Sequence, residues 1–418
     1  MSIGYACIAL GVYDSKMRGC TLKNASPENL DRLIGINLLN LSRILDYNIK
    51  RRISLFRISS DVIPFGSHPV NRNPWWATHT EALEALGRKI NLAGMRVSMH
   101  PGQYTVLNSP DRDIVARAVA DLEYHTRFLD ALGLPSQHKV ILHVGGHYGD
   151  HVEAAARFRK NYAEMAEEIR SRLVIENDEK FDIFQVLELG RSLQMPVVFD
   201  VFHHSCRPPR YKRSVREWID LCQSTWKDKD GVQKIHYSQQ EPGLRAGAHS
   251  STIKLESFLE FYRDLPCRPL DIMLEVKDKD LSAIKCMLAA DPDPPRRMLE
   301  EEWARYKYLV MEHSELHYQT IGKTLNPQLT LDGTAFYLQL EDALAKIPSK
   351  GQAWNAAQHV WGYFKDIAND KEKKSWLEKS QLYQQDQVGT RQIKEFLLRL
   401  AIKYDRSYLL DSYYFFLD

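Results

Sequence analysis

The chain reads as a (β/α)8 (TIM) barrel followed by a small all-α domain. Two observations point there. Short apolar, β-branched segments alternate strictly with amphipathic helical segments through the first 290 residues, and eight such units can be counted. Beyond a proline-rich stretch the strand signals stop and only helical periodicity remains. Alternating units imply parallel strands joined by right-handed crossovers, and eight of them close a barrel. An open doubly wound sheet would need a glycine-rich phosphate turn after the first strand. Gly11 stands there, but no G-x-G-x-x-G does.

Taken in order, Ile3 to Leu10 is the first expected strand. Ser26-Pro27-Glu28 is an N-cap followed by proline at the first helical position, and that helix runs to about Asn48 with Leu30, Leu33, Ile34 and Leu38 on one face. The next expected strands are Ile53 to Ile58, Met95 to Met99, Val140 to Leu142 and Leu173 to Ile175. The sixth is the stretch Pro196 to His204, which carries Asp200, His203 and His204 at its end. Lys234 to Tyr237 and Asp271 to Val276 complete the set. Helices are expected over 78–92, 112–132, 151–171, 181–193, 215–226, 255–265 and from Asp280 onward. Residues 1–290 form the barrel domain in this reading. Ala289 to Pro295 is the linker, and 298–418 is a helical domain with segments at 300–321, 354–367 and 391–404. Lys371 to Lys379 reads as a solvated helix face.

The 418 residues are 44% hydrophobic and 26% charged, an ordinary globular composition with a net charge of +2, so any nucleic-acid footprint must be local. The six cysteines form no C-x-x-C pair, which removes zinc-finger and thioredoxin-like readings. No run approaches the ~18 apolar residues of a membrane span, and Met1 to Leu10 lacks the pattern of a signal peptide. The expectation is a cytoplasmic, monomeric protein with no membrane partner.

Barrel sites lie at the C-terminal strand ends. Those ends carry His100, His143, Glu176, Asp200, His203, His236 and Glu275, and His249 sits on the loop after the seventh strand. A single such histidine has a bland explanation as a satisfied side chain. Eight residues from one rim point instead to a metal centre. Converging carboxylates repel unless cations neutralise them, and mixed imidazole and carboxylate donors suit Mn, Zn or Fe. Eight ligands are too many for one ion, so two or three are expected, with Glu176 as the bridging ligand. Lys234 shares a strand face with His236. It must point away, be neutral, or be an anionic carbamate. A multinuclear centre suits phosphodiester hydrolysis. The competing readings are a metal-dependent sugar or sugar-phosphate isomerase and a non-catalytic damage-binding protein.

Arg207-Pro208-Pro209-Arg210-Tyr211-Lys212-Arg213 follows the sixth strand on the same face, and Arg207, Arg210 and Lys212 are candidate phosphate contacts. Gln103 and Tyr104 pair a hydrogen-bonding with a stacking group on the loop after the third strand. Loop packing is the plainer account of them on the residues alone. Trp75-Trp76 reads equally as core or as a stacking platform.

Six segments together resemble the UV-damage endonuclease family: Met99 to Tyr104, Leu142 to Gly146, Ile175 to Asp178, Asp200 to His204, Lys234 to Ser238 and Leu274 to Lys277. The resemblance covers roughly residues 1–290. It implies incision of duplex DNA immediately 5′ to UV photoproducts, with damaged DNA as the partner. It makes His100, His143, Glu176, Asp200, His203, His236, His249 and Glu275 ligands, with Mn²⁺ the usual ion and Zn²⁺ the alternative. Glu176, Lys234 and His236 become catalytic, with Lys234 carboxylated. Tyr5, Gln103, Tyr104 and Lys277 join the DNA-contacting set, Gln103 and Tyr104 as the wedge that probes the lesion. Ala9 stands where relatives carry an asparagine, which removes one lesion-side hydrogen bond. The tail resembles a bacterial helical domain of unknown function, its histidines and aromatics read as core.

Overall fold

A computed structural model describes residues 1–326 and 328–417. The chain divides into two compact units, Met1–Ile284 and Lys285–Asp418.

The first unit contains eight parallel strands: β1 (Ser2–Ala6), β2 (Leu55–Arg57), β3 (Arg96–Ser98), β4 (Val140–His143), β5 (Leu173–Glu176), β6 (Val197–Asp200), β7 (Lys234–Tyr237) and β8 (Asp271–Leu274). Their order is β3-β2-β1-β8-β7-β6-β5-β4. A parallel bridge between Met99 and Val140 joins the two outer strands, with Ile141 N–H donating to Met99 O at 3.0 Å. The sheet therefore closes and its unpaired edges vanish.

Strand pairing fixes which side chains face inward, because successive residues alternate across the pleat. Gly4 pairs with Leu55 and Met273, Ala6 with Arg57, Arg57 with Ser98, His143 with Glu176, Glu176 with Val198, Asp200 with His236, and His236 with Met273. These residues share the barrel interior. Gly4 is required there: a Cβ would lie 2.1 Å from the Leu55 carbonyl oxygen.

The first long helix, Pro27–Lys50, starts where the sequence places it. Ser26 accepts from Asn29 N–H and Pro27 occupies the first turn. Its Tyr47 donates to Asp280 Oδ2 at 2.8 Å, and the same carboxylate accepts from Leu10 N–H at 2.6 Å and Gly11 N–H at 3.0 Å. That buried aspartate ties the loop after β1 to the start of the last barrel helix, Asp280–Ala290.

Three local expectations are corrected. The chain beyond Asp200 is not extended: it turns directly into a helix over Val201–Cys206, with Asp200 as its N-cap. The helix expected over 151–171 is two, His151–Ala163 and Glu167–Arg170. In the second unit the segment at 300–321 breaks at Ser314, which caps the following helix by accepting from His317 N–H.

The second unit is helical over Arg296–His313, Glu315–Thr324, Gly333–Leu344, Lys350–Trp361, Asp370–Gln384 and Thr390–Lys403. Its core contains a stack of three indoles, with Trp376 placed 5.1 Å from Trp354 and 4.8 Å from Trp361. Aromatic burial of this kind supplies much of a small helical core. No described helix is long and apolar enough to cross a membrane.

Candidate metal centre

The C-terminal strand ends bring His100, His143, Glu176, Asp200, His236 and Glu275 into two overlapping groups. His100, His143 and Glu176 make one. Glu176, Asp200, His236 and Glu275 make the other, and in each the ligand atoms lie within 4.8 Å of one another. Glu176 belongs to both. Its Oε1 lies 2.5 Å from His100 Nε2 and 3.1 Å from His143 Nε2, while its Oε2 lies 2.5 Å from His236 Nδ1. The two oxygens of one buried carboxylate thus face different donor sets.

Three histidines are oriented for ligation. His100 Nδ1 donates to Pro101 O at 3.0 Å, and His249 Nδ1 donates to Glu275 O at 2.9 Å. His143 Nδ1 faces Asp178 Oδ2 at 3.5 Å. A carbonyl can only accept, so for His100 and His249 these contacts place the proton on Nδ1 and leave the Nε2 lone pair toward the site. This is how metal-binding imidazoles are usually held. His249 Nε2 stands 3.9 Å from Glu275 Oε2. His203 is more peripheral. Its ring lies 6.3 Å from that of His143 and 6.0 Å from that of His249, and its Nδ1 is 2.9 Å from Glu179 Oε1.

The electrostatics call for cations. Asp200 spends one oxygen capping its helix, accepting from His203 N–H at 2.7 Å. The other, Oδ2, is buried with no hydrogen-bond partner. Burial, with the charges of Glu275 and Glu176, pushes its carboxyl up to about 7 against the pull of His203. Burial acts the same way on Glu176, but His236, His100 and His143 override it and hold that carboxyl well below the usual range. Burial depresses the His143 imidazole, yet Glu176 and Asp178 lift it to about 9. Buried like charges that cannot all ionise on their own are what a divalent ion neutralises, and this donor set fits one.

Lys234 is buried on the interior face of β7, the face His236 shares, and its Nζ has no hydrogen-bond partner. Burial, with Arg96 and Arg57 nearby, drives its amine well below the usual lysine range. A neutral amine is what these surroundings favour.

Sequence reasoning missed Arg57. It is buried at the end of β2, and its Nη2 donates to Glu275 Oε1 at 2.6 Å and lies 3.1 Å from His236 Nε2. The signal was available: a charge ends the apolar run Leu55-Phe56, as at the other strand ends. Glu179 and Asp178, beside His203 and His143, were missed as partners for a different reason, since they lie on a loop.

Tyr5 is corrected. It is fully buried on the outer face of β1, and its hydroxyl donates to Asn48 Oδ1 at 2.7 Å. Gly4 and Ala6 take the inward positions, so period two turns Tyr5 toward the surrounding helices. Gln103 and Tyr104 are exposed, Tyr104 at 72%. Tyr104 borders a cleft of about 930 Å³ lined also by Ser60, Asp61, His68, Arg117 and Tyr124. Arg210, Tyr211 and Lys212 are exposed, whereas Arg207 is half-buried and donates to Glu179 O at 2.8 Å. Lys277 is exposed and lies 3.6 Å from Glu241. Trp75 is core; Trp76 is exposed, with Arg127 4.4 Å over its ring.

Residues 1–293 match the family described as UV-endonuclease UvdE. The chain belongs to this family. Residues 307–417 match a second family, described as a protein of unknown function (DUF1722). The UV DNA damage endonuclease of Clostridium perfringens is 40% identical over 349 residues, covering 82% of this chain and 83% of the relative. That alignment extends past the barrel into the helical unit. The UV DNA damage endonuclease of Bacillus cereus strain Q1 is 31% identical over 300 residues, 68% of this chain and 93% of the relative. Among solved structures, the crystal structure of SacUVDE superposes with a TM-score of 0.65 at 36% identity, covering 68% of this chain and 96% of that one.

A ligand that binds only the folded state stabilises it by mass action, by about 2.7 kcal/mol at a hundredfold excess over Kd. Mn²⁺ at that excess should raise the melting temperature by roughly 5 °C. Glu176→Gln should remove most of the shift. Equal shifts in the two proteins would rule out Glu176 as a ligand.

Proposed function

We propose that the chain incises the damaged strand of duplex DNA 5′ to UV photoproducts, leaving a 3′-hydroxyl and a 5′-phosphate. It is a DNA repair endonuclease and so a hydrolase of phosphodiesters, and its centre takes divalent metal ions. The observation that carries this is Glu176, whose two oxygens face separate donor groups at the barrel rim of a UV-endonuclease family member. Neither the isomerase nor the non-catalytic reading is favoured, since the relatives covered over most of their length are endonucleases.

In this reading two or three Mn²⁺ ions would be held by His100, His143, Glu176, Asp200, His203, His236, His249 and Glu275, and Glu176, shared by both donor groups, would be the bridging ligand. Zn²⁺ is the alternative ion. Bound ions of this kind neutralise the phosphodiester and acidify water beside it. Glu176, Lys234 and His236 are the catalytic residues. Arg57 holds Glu275 in place through a buried ion pair. Gln103 and Tyr104 stand exposed on one loop, where a polar and a stacking group fill the space of an extruded base pair. Arg207, Arg210, Lys212 and Lys277 supply cations for backbone phosphates. Tyr5, buried, is left out of the DNA-contacting set.

The neutral, unpartnered amine of Lys234 supports carboxylation. A neutral amine attacks carbon dioxide, and the carbamate formed is an anion that suits a cationic centre and the neighbouring Arg57.

Four outcomes test this. Full-length protein with Mn²⁺ should nick UV-irradiated plasmid and spare unirradiated plasmid. Glu176→Gln should slow nicking about 100-fold or more while still binding damaged duplex; wild-type nicking by that variant would sink the metal assignment. Replacing Gln103 and Tyr104 together by alanine should cost about 1–3 kcal/mol of affinity for damaged duplex, roughly ten- to hundredfold. Unchanged affinity would remove the wedge role. For Lys234, native mass at neutral pH should be about 44 Da above the sequence mass and fall to it in Lys234→Met. An unmodified mass in metal-loaded protein would refute the carbamate.

A further inference from the structure

The helix Arg112–Ala131 carries three polar side chains whose partners lie on the loops of the site. Asp121, Tyr124 and His125 are all buried. Asp121 Oδ2 accepts from the Thr105 hydroxyl at 2.6 Å. Tyr124 donates to Ser60 O at 2.7 Å. Gly66 lies so close to the Tyr124 ring that a Cβ there would sit 2.4 Å from it. His125 Nδ1 donates to Asp121 O at 2.6 Å, which leaves Nε2 as an acceptor 2.8 Å from Ser60 Oγ. Burial lowers the basicity of His125, in keeping with a neutral ring. Ser60 Oγ also lies 3.0 Å from His100 O, so its one proton serves two acceptors.

Both loops are thereby tied to one helix. Thr105 closes the turn that displays Gln103 and Tyr104, since its N–H donates to Gly102 O at 2.9 Å. Its hydroxyl then anchors that turn to Asp121. Ser60 holds the carbonyl of His100, and the ring of His100 is in turn oriented by the next carbonyl, that of Pro101. We propose that Ser60 and Thr105 are positioning residues braced on a common strut, Ser60 aligning His100 for metal and Thr105 presenting the Gln103–Tyr104 tip to the duplex. Neither belongs to the candidate ligand groups. Ligand orientation through such outer contacts commonly changes metal affinity severalfold, and loop presentation changes recognition without altering the contacting residues. The helix is distant in sequence from β2 and adjacent to β3, so the arrangement arises only in the closed barrel.

This inference rests on the metal and DNA reading above, and two measurements on the full-length protein separate them. One is the Kd for Mn²⁺, from titration of the metal-free protein. The other is the ratio of affinities for UV-irradiated and intact duplex in the absence of divalent ions. Ser60→Ala should weaken Mn²⁺ binding about three- to tenfold and leave the ratio within about twofold. Thr105→Val should lower the ratio by a similar factor and leave Mn²⁺ binding within about twofold. Ser60→Thr and Thr105→Ser keep the hydroxyls and should restore each value. The inference fails if both variants match wild type in both measurements, if each lowers both together, or if the hydroxyl-retaining variants behave like the deletions. Wild-type protein that neither binds Mn²⁺ nor discriminates damaged duplex would instead overturn the reading on which this rests.

Discussion

Charge compensation around the Glu176 carboxylate organises the rim of this barrel. A buried carboxylate costs several kcal/mol unless its charge is met nearby. Glu176 is met by three imidazoles, and Glu275 by Arg57. The second oxygen of Asp200 has no hydrogen bond and only His236 Nδ1 at 3.8 Å, an imidazole already engaged by Glu176 at 2.5 Å. The protein therefore folds into a site one or more cations short of balance. That deficit is a stronger statement about metal than any single histidine, because it concerns the whole set. Gly4 and Ala6 on β1 leave room for the long side chains of Arg57 and Lys234, which reach in from β2 and β7.

The layering of that interior follows from period two. Lys234 and His236 occupy successive inward positions on β7, and Asp271, Met273 and Glu275 follow the same rhythm on and just past β8. Arg96 meets Asp271 at 2.6 Å near the opposite end of the barrel. Lys234 pairs with Asp271 across the sheet; the Asp271 carboxylate favours its charged form, but burial and Arg96 outweigh it, and Nζ has no hydrogen bond.

Around the rim, helices do more than pad the sheet. Asp280 holds the loop after β1, and Asp121, Tyr124 and His125 hold the loops after β2 and β3. Each is a buried polar group with at least one backbone or hydroxyl partner on a loop of that rim, so loop geometry inherits the rigidity of a packed helix. The helical unit has a different character. Its core is aromatic, with the Trp354, Trp376 and Trp361 stack at its centre, and its polar contacts lie mostly at helix caps and exposed ion pairs. That the Clostridium perfringens relative aligns beyond the barrel indicates that the two units travel together in at least one other protein.

Read alone, the chain determined the alternation of strands and helices, the closure implied by eight units, and the polar residue at nearly every strand end. Those are local properties, set by periodicity and by where an apolar run stops. Period two also required Tyr5 to oppose Gly4 and Ala6, although that consequence is visible only once the inward face is known. Tertiary structure decided the rest, because the deciding contacts join residues far apart in the chain. Arg57 reaches Glu275 across 218 positions, and Tyr47 reaches Asp280 across 233. Which oxygen of Glu176 faces which imidazole, why His203 stands outside the tight groups, and how one helix braces two loops are matters of distance between strands. No sequence spacing encodes such distances; closing the sheet into a ring creates them.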